Sequence, residues 1–337
     1  MNSIIRANDL TKRYDQKIAV DHVSFSVAEG EIFGFLGPNG AGKTTTIRML
    51  TTLAAISEGS ASIAGFDVST KPNQVRRSIG LVPQEAAVDI GLTGIENLLL
   101  DAKLYHISTD VARRRSKELL DLVGLQEAAG RLVGTYSGGM KKRLEVISGL
   151  MHEPQVLFLD EPTLGLDIQT RSAMWEYIRG INKEKKMTIF LTTHYLEEAD
   201  SLCGRIAIID HGKIKVSGSP SNLKSELGGD TIDFEVSDST IDLEAILAHL
   251  SEVREVKPLG NNWYRVKVPR IEQSIQRVFD ELSLRGVRLL NTKFEKASLD
   301  QVFLETTGRS MREEVSSGSM DSFVLRAQSR MRSGGRN

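Results

Sequence analysis

The sequence holds one cysteine in 337 residues, so Cys203 has no partner within the chain and no internal disulfide can staple the fold. No Cys/His cluster has zinc spacing, which leaves a reducing compartment and simple packing as the reading of Cys203. No run approaches the ~18 to 20 apolar residues that cross a bilayer, and Met1 to Asp15 is too polar for a signal-peptide core. Net charge is missing as well. Forty-three Lys and Arg stand against 44 Asp and Glu, so nothing draws the whole molecule to nucleic acid or lipid. These absences predict a soluble, cytoplasmic protein with no nucleic-acid partner, whose charged contacts are local.

What is present is enough chain for more than one hydrophobic core. Residues 1 to about 218 alternate short apolar runs with helical patterns: Glu31 to Leu36, Gln155 to Leu159, Met187 to Thr192 and Arg205 to Ile209 read as strands. That predicts an α/β domain with a mostly parallel, buried sheet. From Gly91 to Tyr136 the pattern is helical only, in Ile95 to Tyr105 and Thr109 to Val123, so a helical subdomain spanning about 91–150 is inserted. Val216 to Pro220 reads as a turn closing this domain. A small α+β unit over 219–307 follows, with the order β-α-β-β-α-β of a ferredoxin-like layer and a last helix from Ser298. In 308–337 Ser, Arg and Gly dominate, and the tail reads as disordered.

Four segments carry chemistry. Gly37, Pro38, Asn39, Gly40, Ala41, Gly42, Lys43 and Thr44 fit G-x-x-x-x-G-K-[ST] between a strand and a helix. Such a loop wraps phosphate with backbone N–H groups, adds the helix dipole, brings Lys43 to the β and γ oxygens and offers Thr44 to magnesium. Asp160 and Glu161 end the apolar run Val156 to Leu159, where charge is excluded unless a cation or ligand compensates it. Taken alone this is an ordinary strand-to-loop boundary; beside a phosphate loop, Asp160 suits a magnesium shell and Glu161 the attacking water. His194 ends another apolar strand and is predicted to leave the same sheet edge, in reach of the γ-phosphate.

The segment Tyr136-Ser137-Gly138-Gly139-Met140 opens a helix, with Ser137 as N-cap and two glycines leaving N–H groups unobstructed. It is a second anion site. One nucleotide does not use two such sites of one chain, so a second chain supplies the nucleotide.

With these motifs in order, residues 3 to 218 resemble the ATP-binding-cassette (ABC) ATPases. The resemblance implies a P-loop ABC ATPase core in which Gly37 to Thr44, with Thr45 after it, is the Walker A loop. It makes Asp160 and Glu161 the Walker B end and catalytic acid, and His194 the switch histidine. It further implies that Gln84 touches magnesium and water, that Tyr14 stacks on adenine, that Ser137, Gly138 and Gly139 face phosphate in trans, and that Leu164 to Asp167 crosses to a second subunit. ATP and Mg2+ are the implied cofactors, and a homodimer with separate transmembrane permease subunits the implied assembly, peripheral on the cytoplasmic face of the membrane. Tyr136 and Met140 replace the usual Leu and Gln of the signature, and Leu164 a serine.

Gly37 to Arg48, Thr135 to Met140, Glu161 to Asp167 and Ser298 to Leu304 are similar to the daunorubicin-resistance branch, which implies export of a drug, lipid or glycan. Two alternatives stay open from sequence: an uptake system regulated by the C-terminal unit, and a soluble ABC ATPase working on ribosomes or DNA.

Overall fold

Three apolar runs, Ile32–Leu36, Val156–Asp160 and Thr188–Thr193, are buried at every position, as strands covered on both faces must be. They lie in a computed structural model that describes residues 3–85, 87–238 and 242–309. The tail beyond residue 309 lies outside the described residues. The chain divides into two compact units, one running to Ser217 and the other from Gly218.

In chain order the strands of the first unit are Ser3–Tyr14 (β1), Lys17–Ala28 (β2), Ile32–Leu36 (β3), Glu58–Ile63 (β4), Phe66–Asp67 (β5), Ile79–Val82 (β6), Val156–Asp160 (β7), Thr188–Thr193 (β8), Arg205–Asp210 (β9) and Lys213–Gly218 (β10). One sheet runs β10-β9-β3-β8-β7-β6, parallel from β9 to β6. Its register sets Leu36 beside Thr193, Asp160 beside Thr192, and Val82 beside Leu159. The carboxyl ends of β3, β8, β7 and β6 are therefore neighbours. Gly37, His194, Glu161 and Gln84 leave the sheet along one edge, where open α/β sheets place their ligands.

A second sheet, antiparallel with order β2-β1-β4-β5, departs from the mostly parallel core that the sequence predicts. Its two 12-residue strands lose their two-residue period at bulges, where Asp9 and His22 adopt φ of 47° and 49°. Inward residues thus fall at Ile5, Ala7 and Leu10, which no simple alternation marks. Phe25 of β2 meets Phe33, Phe35 and Phe190 of the parallel sheet at centroid separations of 5.7, 5.5 and 5.8 Å, so aromatic packing fills the space between the sheets. Cys203 is buried packing: a Cβ on Gly34 would lie 2.6 Å from its sulfur, and burial pushes its thiol pKa well up.

The insertion is helical: Gly94–Leu104, Thr109–Leu122 and Gly138–Ser148, with a 3-10 turn at Val133–Thr135. The first helix opens on a capping box, Thr93 with Glu96, that satisfies two orphan N–H groups.

In the second unit, Asp230–Val236 (β11), Glu255–Gly260 (β12), Trp263–Val268 (β13) and Leu289–Glu295 (β14) form an antiparallel sheet of order β12-β13-β11-β14. Helices Leu243–Leu247 and Ile271–Leu284 cover the face carrying Ile232, Phe234, Val236, Val266 and Val268. The expected ferredoxin-like α+β layer is present. One correction falls at its start: Val216 to Gly218 ends β10 rather than forming a turn, and helix Pro220–Leu223 follows at once. Pro220 in its first turn gives up an N–H that has no helical partner anyway.

Candidate active site

Backbone geometry builds the phosphate loop. Gly40 and Gly42 adopt φ of 81° and 107°, which side-chain-bearing residues avoid, and a Cβ on Gly37 would lie 2.3 Å from the Ile209 carbonyl oxygen. Gly42 caps helix Lys43–Leu50, so that the helix N-terminus meets the loop. Pro38, Asn39, Gly40, Gly42, Lys43, Thr44 and Thr45 line a cavity of about 910 Å³ together with Gln84, Glu161, His194 and, at its rim, Tyr14. Ala41 is buried beneath the loop, its carbonyl accepting from Gly212 N–H at 3.0 Å. Tyr14 keeps its ring exposed, with the Lys12 ammonium 4.9 Å from the centroid.

Glu161 is the centre of the site. It is only 4% exposed, yet one oxygen lies 3.0 Å from Lys43 Nζ and the other accepts from His194 Nδ1 at 2.7 Å. A carboxylate acceptor selects the His194 tautomer or cation with a proton on Nδ1. Burial alone would raise the Glu161 pKa, but the His194 hydrogen bond and the Lys43 charge outweigh it and hold the carboxyl below its ordinary value. The residue stands at φ 52°, left-handed for a side-chain-bearing residue at a cost of about 1–2 kcal/mol. Two bonds enforce that conformation: Glu161 N–H donates to the carbonyl and the hydroxyl of Thr192, each at 3.1 Å. Lys43 is equally committed, donating to the carbonyls of Gly37 at 2.7 Å and Pro38 at 3.1 Å.

Asp160 is buried beside this chain of charges. It accepts from the Thr192 hydroxyl and, at 3.3 Å, from Thr44 Oγ1. Thr44, Asp160 and the exposed Gln84 supply hard oxygen donors, a set that fits Mg2+, an ion usually held by one or two protein groups plus water and phosphate.

The structure brings Lys43, Thr44, Gln84, Asp160, Glu161 and His194 together, and separates them from the helix start at Ser137. Ser137 caps helix Gly138–Ser148, accepting from Met140 N–H at 3.2 Å, and it lines a different, smaller cavity with Gly139 and Thr170. Gly139 is required by contact: a Cβ there would lie 2.3 Å from Thr170 Cγ2. Asp167 caps helix Ile168–Lys185, accepting from Thr170 N–H at 2.9 Å and the Thr170 hydroxyl at 2.6 Å, and these bonds lower its pKa. Tyr136, unusual for its position, is a buried anchor whose hydroxyl donates to the Ala128 carbonyl at 2.6 Å. A Cβ on Gly94 would lie 2.4 Å from that hydroxyl, so the glycine makes room for the larger ring.

Sequence reasoning missed Thr192, which orders both Asp160 and Glu161, and Lys17 and His211, which line the cavity. The only local signal for Thr192 was a threonine pair ending a buried apolar strand.

Comparison with known proteins agrees with this geometry. The ABC transporter family profile matches residues 20–164, and the profile for the C-terminal domain of DrrA1-3-like ATP-binding proteins matches residues 218–307. Daunorubicin resistance ATP-binding protein DrrA2 of Streptomyces coeruleorubidus is 41% identical over 307 residues, covering 90% of this chain and 95% of that protein. Linearmycin resistance ATP-binding protein LnrL of Bacillus subtilis is 37% identical, covering 92% of this chain and 100% of that one. Nod factor export ATP-binding protein I of Burkholderia pseudomallei is 40% identical over 89% of this chain and 95% of its own length. Among solved structures, an ATP-binding subunit of an ABC transporter matches with TM-score 0.59 at 29% identity, over 66% of this chain and 92% of that one. A dimeric ATP-binding cassette in a post-hydrolysis state with ADP and phosphate matches with TM-score 0.58 at 25% identity, over 64% of this chain and 98% of that one. Joined to a phosphate loop, a carboxylate held between lysine and histidine, and a second helix-start site, these matches establish that the chain belongs to the ABC transporter family and is the ATP-hydrolysing subunit of an exporter.

Proposed function

We propose that Glu161 is the base of ATP hydrolysis in this subunit, and that the Lys43–Glu161–His194 chain is the device that keeps it ready. The observation that carries this reading is a buried carboxylate held below its ordinary pKa by a lysine and a histidine inside a phosphate loop cavity. Such a carboxylate stays ionised at neutral pH and accepts the proton of a water that attacks the γ-phosphorus, while ADP leaves. Lys43 exchanges the carboxylate for phosphate oxygens as nucleotide enters, freeing one Glu161 oxygen for the water. His194 orients the other oxygen through Nδ1. Its Nε2 is left to contact a γ-phosphate oxygen.

Thr44, Asp160 and Gln84 would hold Mg2+, which neutralises phosphate charge when bound. Tyr14 supplies a face for the adenine ring. Two copies close head to tail around ATP, each offering Ser137, Gly138 and Gly139 to the nucleotide of the other, with Asp167 holding the loop that crosses the seam. In this reading the subunit works on the cytoplasmic face of a separate multi-span permease; among the described residues no helix is long and apolar enough to cross a membrane. Relatives named for daunorubicin, linearmycin and Nod factor point to a drug, lipid or glycan cargo, chosen by the permease.

Glu161→Gln tests the reading. It should bind ATP, lower turnover roughly 10²- to 10⁴-fold and accumulate as a dimer in light scattering. Normal turnover would remove Glu161 from its role, and a monomer with ATP bound would remove the two-copy site.

A further inference from the structure

Glu198 is fully buried, at 0% exposure, on the short helix Leu196–Leu202 that follows His194. Burying a carboxyl costs several kcal/mol unless hydrogen bonds compensate, so a residue that only packed here would be apolar. The compensation comes from the far side of the site. Glu198 Oε1 accepts from Thr163 Oγ1 at 2.8 Å and from Trp175 Nε1 at 3.1 Å. Thr163 lies on the loop that leaves Glu161, and Trp175 on helix Ile168–Lys185, which that loop enters at Asp167. A parallel contact joins the same two helices, because the Arg171 guanidinium stacks 3.9 Å from the Tyr195 ring centroid. Arg171 and Trp175 are one turn apart on one helix, Tyr195 and Glu198 one turn apart at the start of the other. Two rows of contacts therefore pin one helix start to the other. Burial pushes the Glu198 carboxyl above its usual range, and the Glu161 charge acts the same way, against the hydrogen bonds from Thr163 and Trp175.

We infer that Glu198 is a positioning residue that fastens the loop Pro162 to Asp167 to the strand end carrying His194, so that both move as one body when nucleotide binds. The inference rests on the proposed roles of Glu161 and His194, and it assigns a cause to their mutual alignment. Glu161 is hinged between the two parts that Glu198 joins. A phosphate contact at His194 is then transmitted to the loop that meets the second subunit through a buried acceptor oxygen rather than through solvent.

The test compares Glu198→Ala with Glu198→Gln in ATPase assays on the full chain, with folding followed by thermal melting. Glutamine keeps an acceptor oxygen for Thr163 and Trp175, and alanine does not. Glu198→Ala should lower kcat about 10- to 100-fold through misplacement of the reacting groups while leaving KM near its original value, and Glu198→Gln should restore most of kcat. Adding Thr163→Val to Glu198→Ala should cost nothing further. Unchanged kcat in Glu198→Ala, or equal losses in the alanine and glutamine variants, would overturn the inference. Should the alanine variant fail to fold, Thr163→Val and Trp175→Phe carry the test, and original kcat in both overturns it. Glu161→Gln is assayed alongside: its turning over normally would sink the site reading and not this one. In that event Trp175 emission decides, read in a Trp263→Phe background where it is the single tryptophan of the chain. ATP should change that emission with Glu198 present and not in Glu198→Ala; the same response in both proteins, or none in either, overturns the inference.

Discussion

Replacing Gly139 with alanine puts a methyl group where Thr170 already stands. The new Cβ would lie 2.3 Å from Thr170 Cγ2, whereas carbon atoms settle at about 3.5–4.0 Å. Thr170 is not free to swing away, because its hydroxyl and N–H both donate to Asp167, at 2.6 and 2.9 Å. The overlap should cost about 1–3 kcal/mol, typical of forcing an extra methyl into a packed site. Alanine in a helix gains back about 1 kcal/mol over glycine, so Gly139→Ala alone should be neutral to destabilising by about 2 kcal/mol. Thr170→Ser deletes the offending methyl and keeps the hydroxyl that Asp167 accepts from. The next nearest atoms, Cβ at 3.7 Å and Oγ1 at 3.8 Å, are ordinary contacts. In the Thr170→Ser background the alanine should therefore stabilise, and urea unfolding of the four proteins should give an interaction energy of about 1–3 kcal/mol, well above the ~0.5 kcal/mol scatter of independent sites. ATPase activity per folded molecule should fall in Gly139→Ala and recover in the double variant, since the clash displaces the helix start that Ser137 caps. Additive free energies, within about 0.5 kcal/mol, would refute the packing argument.

Other outcomes follow from the same geometry. Because Glu161 is held below its ordinary value of 4.5, its contribution to stability is present above that pH and is lost as pH falls through the lowered value. Melting temperature should consequently drop more steeply on acidification in the original protein than in Glu161→Gln, and parallel curves would contradict the assignment. Tyr136→Phe removes the 2.6 Å bond to the Ala128 carbonyl, so it should cost about 0.5–1.5 kcal/mol in chemical unfolding with little change in ATPase rate. Lys43→Ala should abolish binding in calorimetry with a non-hydrolysable ATP analogue, because it removes the ammonium that neutralises phosphate charge; binding of undiminished affinity would count against Lys43.

Much of the site was legible because its signals are local. A G-x-x-x-x-G-K-T string between strand and helix, an apolar run ending in Asp160-Glu161, and Ser137 before two glycines each state their chemistry within a few residues, and the structure places the first two on one sheet edge. The central strands were equally legible, since double burial writes itself as unbroken apolar sequence. The antiparallel sheet was not, because bulges at Asp9 and His22 break its period.

What the sequence determined by itself was the doubly buried strands and the backbone of the phosphate loop: glycines where φ must be positive, a lysine at a helix start, carboxylates at a strand end. Partnership was decided only by tertiary structure. Strand order β3-β8-β7 brings Lys43 and His194 to opposite oxygens of Glu161, and helix contact puts Thr170 against Gly139 and Glu198 under Thr163. The reason is physical. A local pattern specifies which face of an element is buried, while the neighbour that face meets depends on pairings between segments far apart in the chain, and those pairings set the charge and position of the Glu161 carboxylate.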